Sequence, residues 1–448
     1  MSTVAQQTQL SSATSAGEES RVESPRWYVS QLGSRERYAC AVSQAKRGRL
    51  ELFYTDAWCG AFRGLVSKMP RGFAGLSQRF HAELPREKVV AFTAATLCDE
   101  LKDKFSRRDK SRTAQYERFE TSGKWFASKV AAHMSKLPLN AGRDVHFVYD
   151  TAALESLKHA RERGMFCIVD QIDPARVHEK LLQEEAERWP NWEVREGGIP
   201  DSYFARLSEE WATADMVVVN SEYSKRSIHE QGVPLEKIAV VPLAYEAPSG
   251  HEIKKHAPSR DKPLRVLWLG TVAVCKGIPY LMEAAKLLRD RNIEFTIVGP
   301  IRIAEHAAKS APSNMKFVGP VLHHNAHRYY QQADLFVLPT ISDGFAITQI
   351  EAMSHGLPVI ATPNCGNVVT PGADGEIVPI RDAASLAKTI AMLEEDRPRL
   401  AAMSAKATEK SRQFSLENYA QALDRAVANG RGTAFAKHQQ GIAKSRKI

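Results

Sequence analysis

Two blocks of short apolar runs, each alternating with helical patterns, constrain this 448-residue chain more than any other feature. In the first block, Trp27–Gln31, Leu50–Tyr54, Val145–Tyr149, Met165–Val169, Asp215–Val219 and Ile238–Val241 read as strands. Helices are expected near Arg35–Lys46, between Tyr149 and Met165, and over Glu222–Gln231. The second block repeats the scheme with strands at Leu264–Gly270, Phe295–Gly299, Lys316–Val318, Ala333–Thr340 and Leu357–Thr362. Strands that are apolar at every position, not at every second one, are buried on both faces, and helices between them imply a parallel sheet. Residues 247–263, rich in Pro, His, Lys, Ser and Gly without apolar periodicity, read as a linker. The expected organisation is therefore α/β. It has a disordered tail at 1–24, one Rossmann-like domain at 25–246, a second at 264–412, a crossover helix at 413–430 and a basic tail at 431–448. The crossover helix carries Leu416, Tyr419, Leu423 and Val427 on one face, suited to packing back across the linker.

Composition narrows the class. An apolar share of 43% is enough for real cores, and no apolar run approaches the roughly 18 residues of a membrane span. The N-terminus lacks a basic region followed by an apolar stretch, so no secretory signal is expected. The cysteines Cys40, Cys59, Cys98, Cys167, Cys275 and Cys365 form no C-x-x-C pair and no zinc spacing. The expectation is a cytoplasmic protein with no metal and no cofactor. Its net charge of +9 is unevenly placed: residues 61–143 hold 17 Lys and Arg against 8 Asp and Glu. Aromatic residues including Phe62, Phe73, Phe80, Tyr116, Phe119, Trp125 and Phe126 are interleaved there. Such a segment suits anionic lipid headgroups, nucleic acid or an acidic acceptor; the simpler reading is a solvated helical face.

Five stretches carry candidate chemistry. Asp343 and Glu351 lie eight residues apart, the first in a glycine-containing turn and the second inside a helix, between two expected strands. Backbone N–H groups over Gly344, Phe345, Ala346 and Ile347 would favour an anion, and Glu351 suits hydroxyls, a combination that fits a sugar nucleotide. The simpler reading is a capped helix with an exposed Glu. Thr271 and Lys276 sit in the turn after Leu264–Gly270, where a lysine at a helix start is opposed by the macrodipole unless an anion balances it. Gly33 is the turn glycine after the first strand, followed by Arg35 and Arg37; without G-x-G-x-x-G, a nicotinamide or flavin site is not supported. Asp150, Asp170 and Asp173 close two further strands, as acceptor-side groups or as helix caps.

These motifs resemble retaining glycosyltransferase family 4. The likeness is carried by Gly270–Gly277, Ala333–Thr340, Asp343–Met353, His355–Thr362 and Gly375–Pro379, and more coarsely by Gly33 and Asn220–Arg226. The resemblance implies a GT-B architecture, two facing Rossmann-like domains with an interdomain cleft. The first domain would take the acceptor and the second the nucleotide sugar. The family's two-carboxylate motif falls on Asp343 and Glu351, which would touch donor-sugar and ribose hydroxyls. Lys276 would bind the diphosphate with Gly33 facing it, and the nucleobase would lie near Val321. Three departures stand out: Thr271 where the family usually has Arg, Asp343 where it has Glu, and Tyr149-Asp150 where a histidine is common. The implied function is transfer of a sugar from a UDP- or GDP-sugar to a hydroxyl acceptor, lipid-linked or polysaccharide. Peripheral contact with the inner membrane face would run through residues 61–143, and no nucleic-acid partner is expected. The alternative is a GT-B-shaped binding module with weakened turnover that docks on an anionic partner.

Overall fold

The computed structural model describes residues 24–60, 79–94, 96, 109, 111–193, 197–247 and 261–445. Strands β1 (Arg26–Gln31), β2 (Leu50–Thr55), β3 (Val89–Ala91), β4 (Asp144–Tyr149), β5 (Phe166–Gln171), β6 (Met216–Val219) and β7 (Ile238–Val240) form one sheet. Its order is β3-β2-β1-β4-β5-β6-β7, and every described pairing is parallel. Strands β8 (Leu264–Leu269), β9 (Ile293–Val298), β10 (Met315–Gly319), β11 (Leu335–Leu338), β12 (Val359–Ala361) and β13 (Gly375–Ile377) form the second, in the order β10-β9-β8-β11-β12-β13. These orders are doubly wound: the chain runs outward from a central strand, then jumps back to its other side.

Burial on both faces explains the unbroken apolar runs. In the first sheet Trp27, Val29, Phe147, Ile168 and Val218 enter one core, while Tyr28, Val148, Val169 and Val217 enter the core on the opposite face. In the second, Val266, Trp268, Phe295 and Val337 face one way, and Leu267, Val298, Phe336 and Leu338 the other. Neither sheet has a wet face, so helices cover both sides.

Two helices escaped the sequence reading. Arg176–Arg188 and Asp201–Thr213 fill the span between β5 and β6. The first of these docks on the second domain. Glu185, 1% exposed, accepts hydrogen bonds from Tyr280 Oη at 2.8 Å and Arg381 Nε at 2.6 Å, while Arg381 Nη2 reaches Glu184 at 2.8 Å. Trp189 stacks edge-on against Tyr280 with ring centroids 5.5 Å apart, and Ala304 N donates to Trp192 O at 2.7 Å.

The closing helix reaches back to the first domain. Leu416, Tyr419, Leu423 and Val427 are buried in the core that holds Trp27 and Phe147, and Asp424 pairs with Arg47 and Arg49. The helix runs over Leu416–Ser445, past the expected end at residue 430. Gly430 and Gly432 do not stop it, because glycine weakens a helix interior by only about 1 kcal/mol and the following residues are mainly good helix formers.

The basic segment needs a second correction. Residues 61–78 and 97–108 lie outside the described residues. Within the helix Arg112–Met134, however, Phe126 is fully buried, and Tyr116 and Trp125 pack on the core, Tyr116 edge-on to Tyr203 at 4.9 Å. Only Phe119, 40% exposed, stands out as a large exposed hydrophobic residue of this helix. Among the described residues, most aromatic members of the expected docking patch in this helix thus pack on the core, since burying an aromatic ring removes more apolar surface than most side chains can.

Leu423→Ala should lower stability by about 2–5 kcal/mol, the usual result of emptying a fully buried leucine site. A chemical-denaturation midpoint unchanged from the parent would show that the helix is not seated on the first domain.

Candidate active site at the facing strand edges

Ligands of doubly wound sheets bind at the carboxyl edge, where the strand order reverses. The reversal falls between β1 and β4 in the first sheet and between β8 and β11 in the second. The loops leaving those strands are Gly33–Tyr38, Asp150–Ala153, Gly270–Gly277 and Pro339–Ile347. Nearly every candidate from the sequence lies in them.

On the second-domain side Lys276 and Asp343 are joined by a short ion pair. Burial opposes the Lys276 ammonium, but the Asp343 charge and hydrogen bond outweigh it and raise its pKa. Gly277, at φ +74°, brings the lysine loop against β11: a Cβ there would lie 1.8 Å from Pro339 O. Gly277 also opens the ten-residue helix Ile278–Leu287, whose N-terminus points its first amides toward this edge. Asp343 is set by its own N–H, which donates to Asn364 O at 2.9 Å.

The Gly344 turn is pressed against the first domain. A Cβ on Gly344 would lie 2.2 Å from Ile172 O, and Ser221 Oγ donates to Gly344 O at 2.7 Å. Beside it, Ser342 Oγ lies 3.0 Å from both His178 Nδ1 and Tyr223 Oη. Burial lowers the His178 pKa, and Lys276 lowers it further while Asp173 and Asp343 act oppositely. The two edges therefore meet through backbone and small polar side chains.

On the first-domain side Asp150 is 7% exposed, and its Oδ2 accepts from Gln171 Nε2 at 2.8 Å and from Ile172 N at 3.3 Å. Burial, reinforced by the Asp173 charge, pushes its carboxyl up to about 7. Glu36 accepts from Tyr149 Oη at 3.3 Å, and burial pushes it up to about 7 as well. Asp170, on the strand next to Tyr149, is raised well above the ordinary range by burial and by the Glu36 and Asp150 charges; Arg35 works against this. Gly33, at φ +92°, donates its N–H to Asp56 Oδ1 at 2.9 Å, and Arg79 braces the same carboxylate.

Backbone strain gathers on this edge. Glu36, Arg37 and Tyr38 after β1, Thr151 after β4 and Ala175 after β5 all have positive φ, from 50° to 68°. Left-handed geometry costs an L-residue about 1–2 kcal/mol, and it persists where surroundings enforce it. At Thr151 the enforcement is visible: its N–H donates to Glu210, its Oγ1 to Tyr203 Oη, and its O accepts from Arg206 Nε.

Glu351 accepts a hydrogen bond from Tyr330 Oη at 2.8 Å. The Ala346 N–H is spent on Cys365 O at 3.1 Å, which corrects its expected use as an anion donor. Phe345 and Ala346 side chains are core, with Phe345 edge-on to Phe414. Thr271 is exposed at the mouth of its loop. Val321 lines a surface depression with Pro320, Leu322, Asn325, Arg328 and Tyr329. Sequence reasoning missed His178, Ser342 and Tyr330, and held Tyr223 only as part of the stretch Asn220–Arg226. Ser342, next to Asp343, had a positional signal; His178 and Tyr330 arrive from helices whose approach to the edge is set by tertiary packing.

Residues 263–396 match the family described as glycosyl transferases group 1. The amylovoran biosynthesis glycosyltransferase AmsK of Erwinia amylovora is 26% identical over 304 residues, 63% of this chain and 69% of that protein. The lipopolysaccharide core biosynthesis mannosyltransferase LpsB of Rhizobium meliloti is 36% identical over 127 residues, 27% of this chain and 36% of that one. The D-inositol 3-phosphate glycosyltransferase of Nocardia farcinica is 28% identical over 263 residues, covering 52% and 57%. The chain thus spans between about a third and about two thirds of the length of these relatives. Among solved structures, Anabaena HepE in complex with UDP and glucose superposes with a TM-score of 0.56 at 16% identity, covering 90% of this chain and 99% of that one. Sucrose-phosphate synthase of Thermosynechococcus elongatus gives 0.60 at 17%, covering 92% and 100%; at these identities the likeness concerns the fold. The second domain thus matches the glycosyl transferases group 1 family, and the two doubly wound domains meeting at their carboxyl edges have the GT-B fold.

Proposed function

We propose that the chain transfers a sugar from a UDP- or GDP-sugar to a hydroxyl of a glycan or lipid-linked acceptor, with retention at the anomeric carbon. The observation that carries this reading is the Lys276–Asp343 pair, held at the second sheet's reversal point opposite Ile172 and His178. A pyrophosphate placed at the start of the helix Ile278–Leu287 meets Lys276 and the helix amides together. Engaging Lys276 there frees Asp343 for the hydroxyls of the departing sugar. Glu351, oriented by Tyr330, is suited to the ribose, and the depression at Val321 to the base.

The chemistry follows from charge. As the bond from C1 to the bridging phosphate oxygen breaks, its electron pair goes to the diphosphate, and the acceptor oxygen forms the new bond to C1. The growing negative charge meets Lys276 and the helix amides, fixed donors that need no reorganisation. The acceptor's proton goes to Asp150, which is ionised above about 7 and lies next to Ile172, the residue that touches Gly344. The names of relatives, which speak of amylovoran biosynthesis, lipopolysaccharide core biosynthesis and D-inositol 3-phosphate, support a hydroxyl acceptor. Among the described residues no helix is long and apolar enough to cross a membrane, and contact with a membrane surface belongs to this proposal only through the basic segment.

Thermal shift against UDP, GDP and ADP comes first; no stabilisation by any of them would remove the proposal. Lys276→Ala should then lower transfer by about 10²–10³-fold, the effect of losing one fixed donor to a developing anion. Rates within twofold of the parent would reject the assignment of Lys276.

Asp150 must be ionised to take a proton, so transfer should fall about tenfold per pH unit as pH drops below about 7. In Asp150→Asn, residual transfer should be lower by about 10²–10⁴-fold and the acid limb absent. An acid limb that survives in the variant would assign the proton elsewhere.

Gly344→Ala should push the turn away from Ile172 and weaken transfer while each domain stays folded. Small-angle scattering should record a wider molecule; an unchanged envelope with full activity would contradict the proposed closure.

A further inference from the structure

The two carboxyl edges touch in this structure. The Gly344 turn lies against Ile172 O, and the hydroxyls of Ser221 and Tyr223 reach Gly344 O and Ser342. A ligand enters between the edges only if the domains part there. These edge contacts are neutral hydrogen bonds between small polar groups. The helix Arg176–Arg188 and the residues just after it meet the second domain differently. Glu185 and Glu184 pair with Arg381, Tyr280 donates to Glu185, and Leu181, Trp189 and Trp192 pack on the second domain's core. Glu193 adds a backbone bridge to Ile303, and the helix lies against Val274–Lys276, the loop that carries the lysine. Hydrogen bonds between ionised partners are stronger than neutral ones, and these come with buried apolar surface.

The helix is joined to its own domain through a tight turn. Ala175 has φ 50° and ψ −122°, a strained conformation for a residue with a Cβ. The Gln231 amide spans the turn, donating to Pro174 O and accepting from Arg176 N, each at 3.0 Å. Past it, Glu179 accepts from Ile199 N at 3.2 Å, and Arg176 pairs with Asp201 where both are exposed, a kind of pair that contributes little. Arg112 also reaches Glu193, beyond the helix end, at 2.7 Å.

We propose that Arg176–Arg188 is a strap that travels with the second domain when the cleft opens, turning at Ala175, and that it keeps His178 beside Lys276 and Asp343 as a donor-side residue. The second part rests on the proposed transfer reaction; the first does not. His178 Nδ1 stays on Ser342, next to Asp343, while Tyr223, which shares Ser342, remains with the first domain. With Nδ1 engaged, Nε2 is the ring nitrogen left for a ligand, and a diphosphate at Lys276 offers it acceptor oxygens.

The test uses the full chain with unnatural spin-label residues at three exposed sites: Glu162 in the first domain, Glu187 on the strap and Lys388 in the second domain. Double electron–electron resonance compares the parent with Gly344→Ala, whose methyl group forces the edges apart without any nucleotide. The distances from Glu162 to Glu187 and to Lys388 should shift together, while Glu187 to Lys388 stays fixed. A shift of Glu187 against Lys388 with Glu162 to Glu187 unchanged, or no shift at all, would overturn the strap. Arg381→Ala, or Tyr280→Phe should that variant not fold, should broaden the Glu187–Lys388 distribution; an unaltered width would equally overturn it. UDP binding is then measured by calorimetry. His178→Ala should weaken it about tenfold, the loss of one hydrogen bond to a charged group, and His178→Gln, which keeps an N–H donor, should lose less. Unchanged affinity in His178→Ala would overturn the donor-side role. If the parent itself does not bind UDP, the transfer reaction fails, and the strap stands or falls on the distances.

Discussion

The contact made by Glu185 fixes the geometry on which every other part of the site depends. A carboxylate at 1% exposure is costly to bury unless its oxygens are fully met, and here Tyr280 and Arg381 of the second domain meet them. The helix Arg176–Arg188 thus belongs in sequence to the first domain and is held electrostatically by the second. His178, on its first turn, is carried to Ser342 by that docking, and Asp173, just before the helix, is drawn to the same edge. Together with the contacts of Ser221 with Gly344 and Tyr223 with Ser342, this anchor fixes the spacing of the two carboxyl edges and the surface opposite Lys276.

Against that anchor, the separation of donor and acceptor chemistry becomes intelligible. The second domain contributes the compact charged pair and a helix start; the first contributes hydrogen-bond acceptors at the ends of three adjacent strands. Their environments push in opposite senses. Lys276 keeps its charge because Asp343 is in contact, whereas Glu36, Asp150 and Asp170 resist theirs because they crowd one another in a dry place. The backbone between them is made of close approaches that only a missing side chain permits, as at Gly344 and Gly277.

The sheets were legible because burial on both faces leaves unbroken apolar runs, and β1, β4, β8 and β11 could be placed to within a residue or two at most ends. The loops at their carboxyl ends followed, which is why Gly33, Asp150, Lys276 and Asp343 lay where expected. Tertiary facts were not legible. The helices Arg176–Arg188 and Asp201–Thr213 have patterns rich in Glu and Arg, in which nothing local announces that Glu185 and Glu210 are buried. The Ala346 amide looked available because nothing local shows that Cys365 O claims it. Phe126 and Trp125 looked like a surface patch because a basic helix gives no hint of which stripe faces inward. The left-handed run at Glu36, Arg37 and Tyr38 had no glycine to announce it.

The seating of Leu416, Tyr419, Leu423 and Val427 beside Trp27 and Phe147 also sets an order of events during synthesis. The first domain emerges from the ribosome with part of one sheet face, beside the helix Ala39–Lys46, uncovered, and the segment that completes the cover is made only after the entire second domain. Until then that aromatic and aliphatic surface is open to solvent or to chaperones. Assembly of the amino-terminal half is therefore completed from the far end of the polypeptide, and the two halves cannot mature as independent beads on a string.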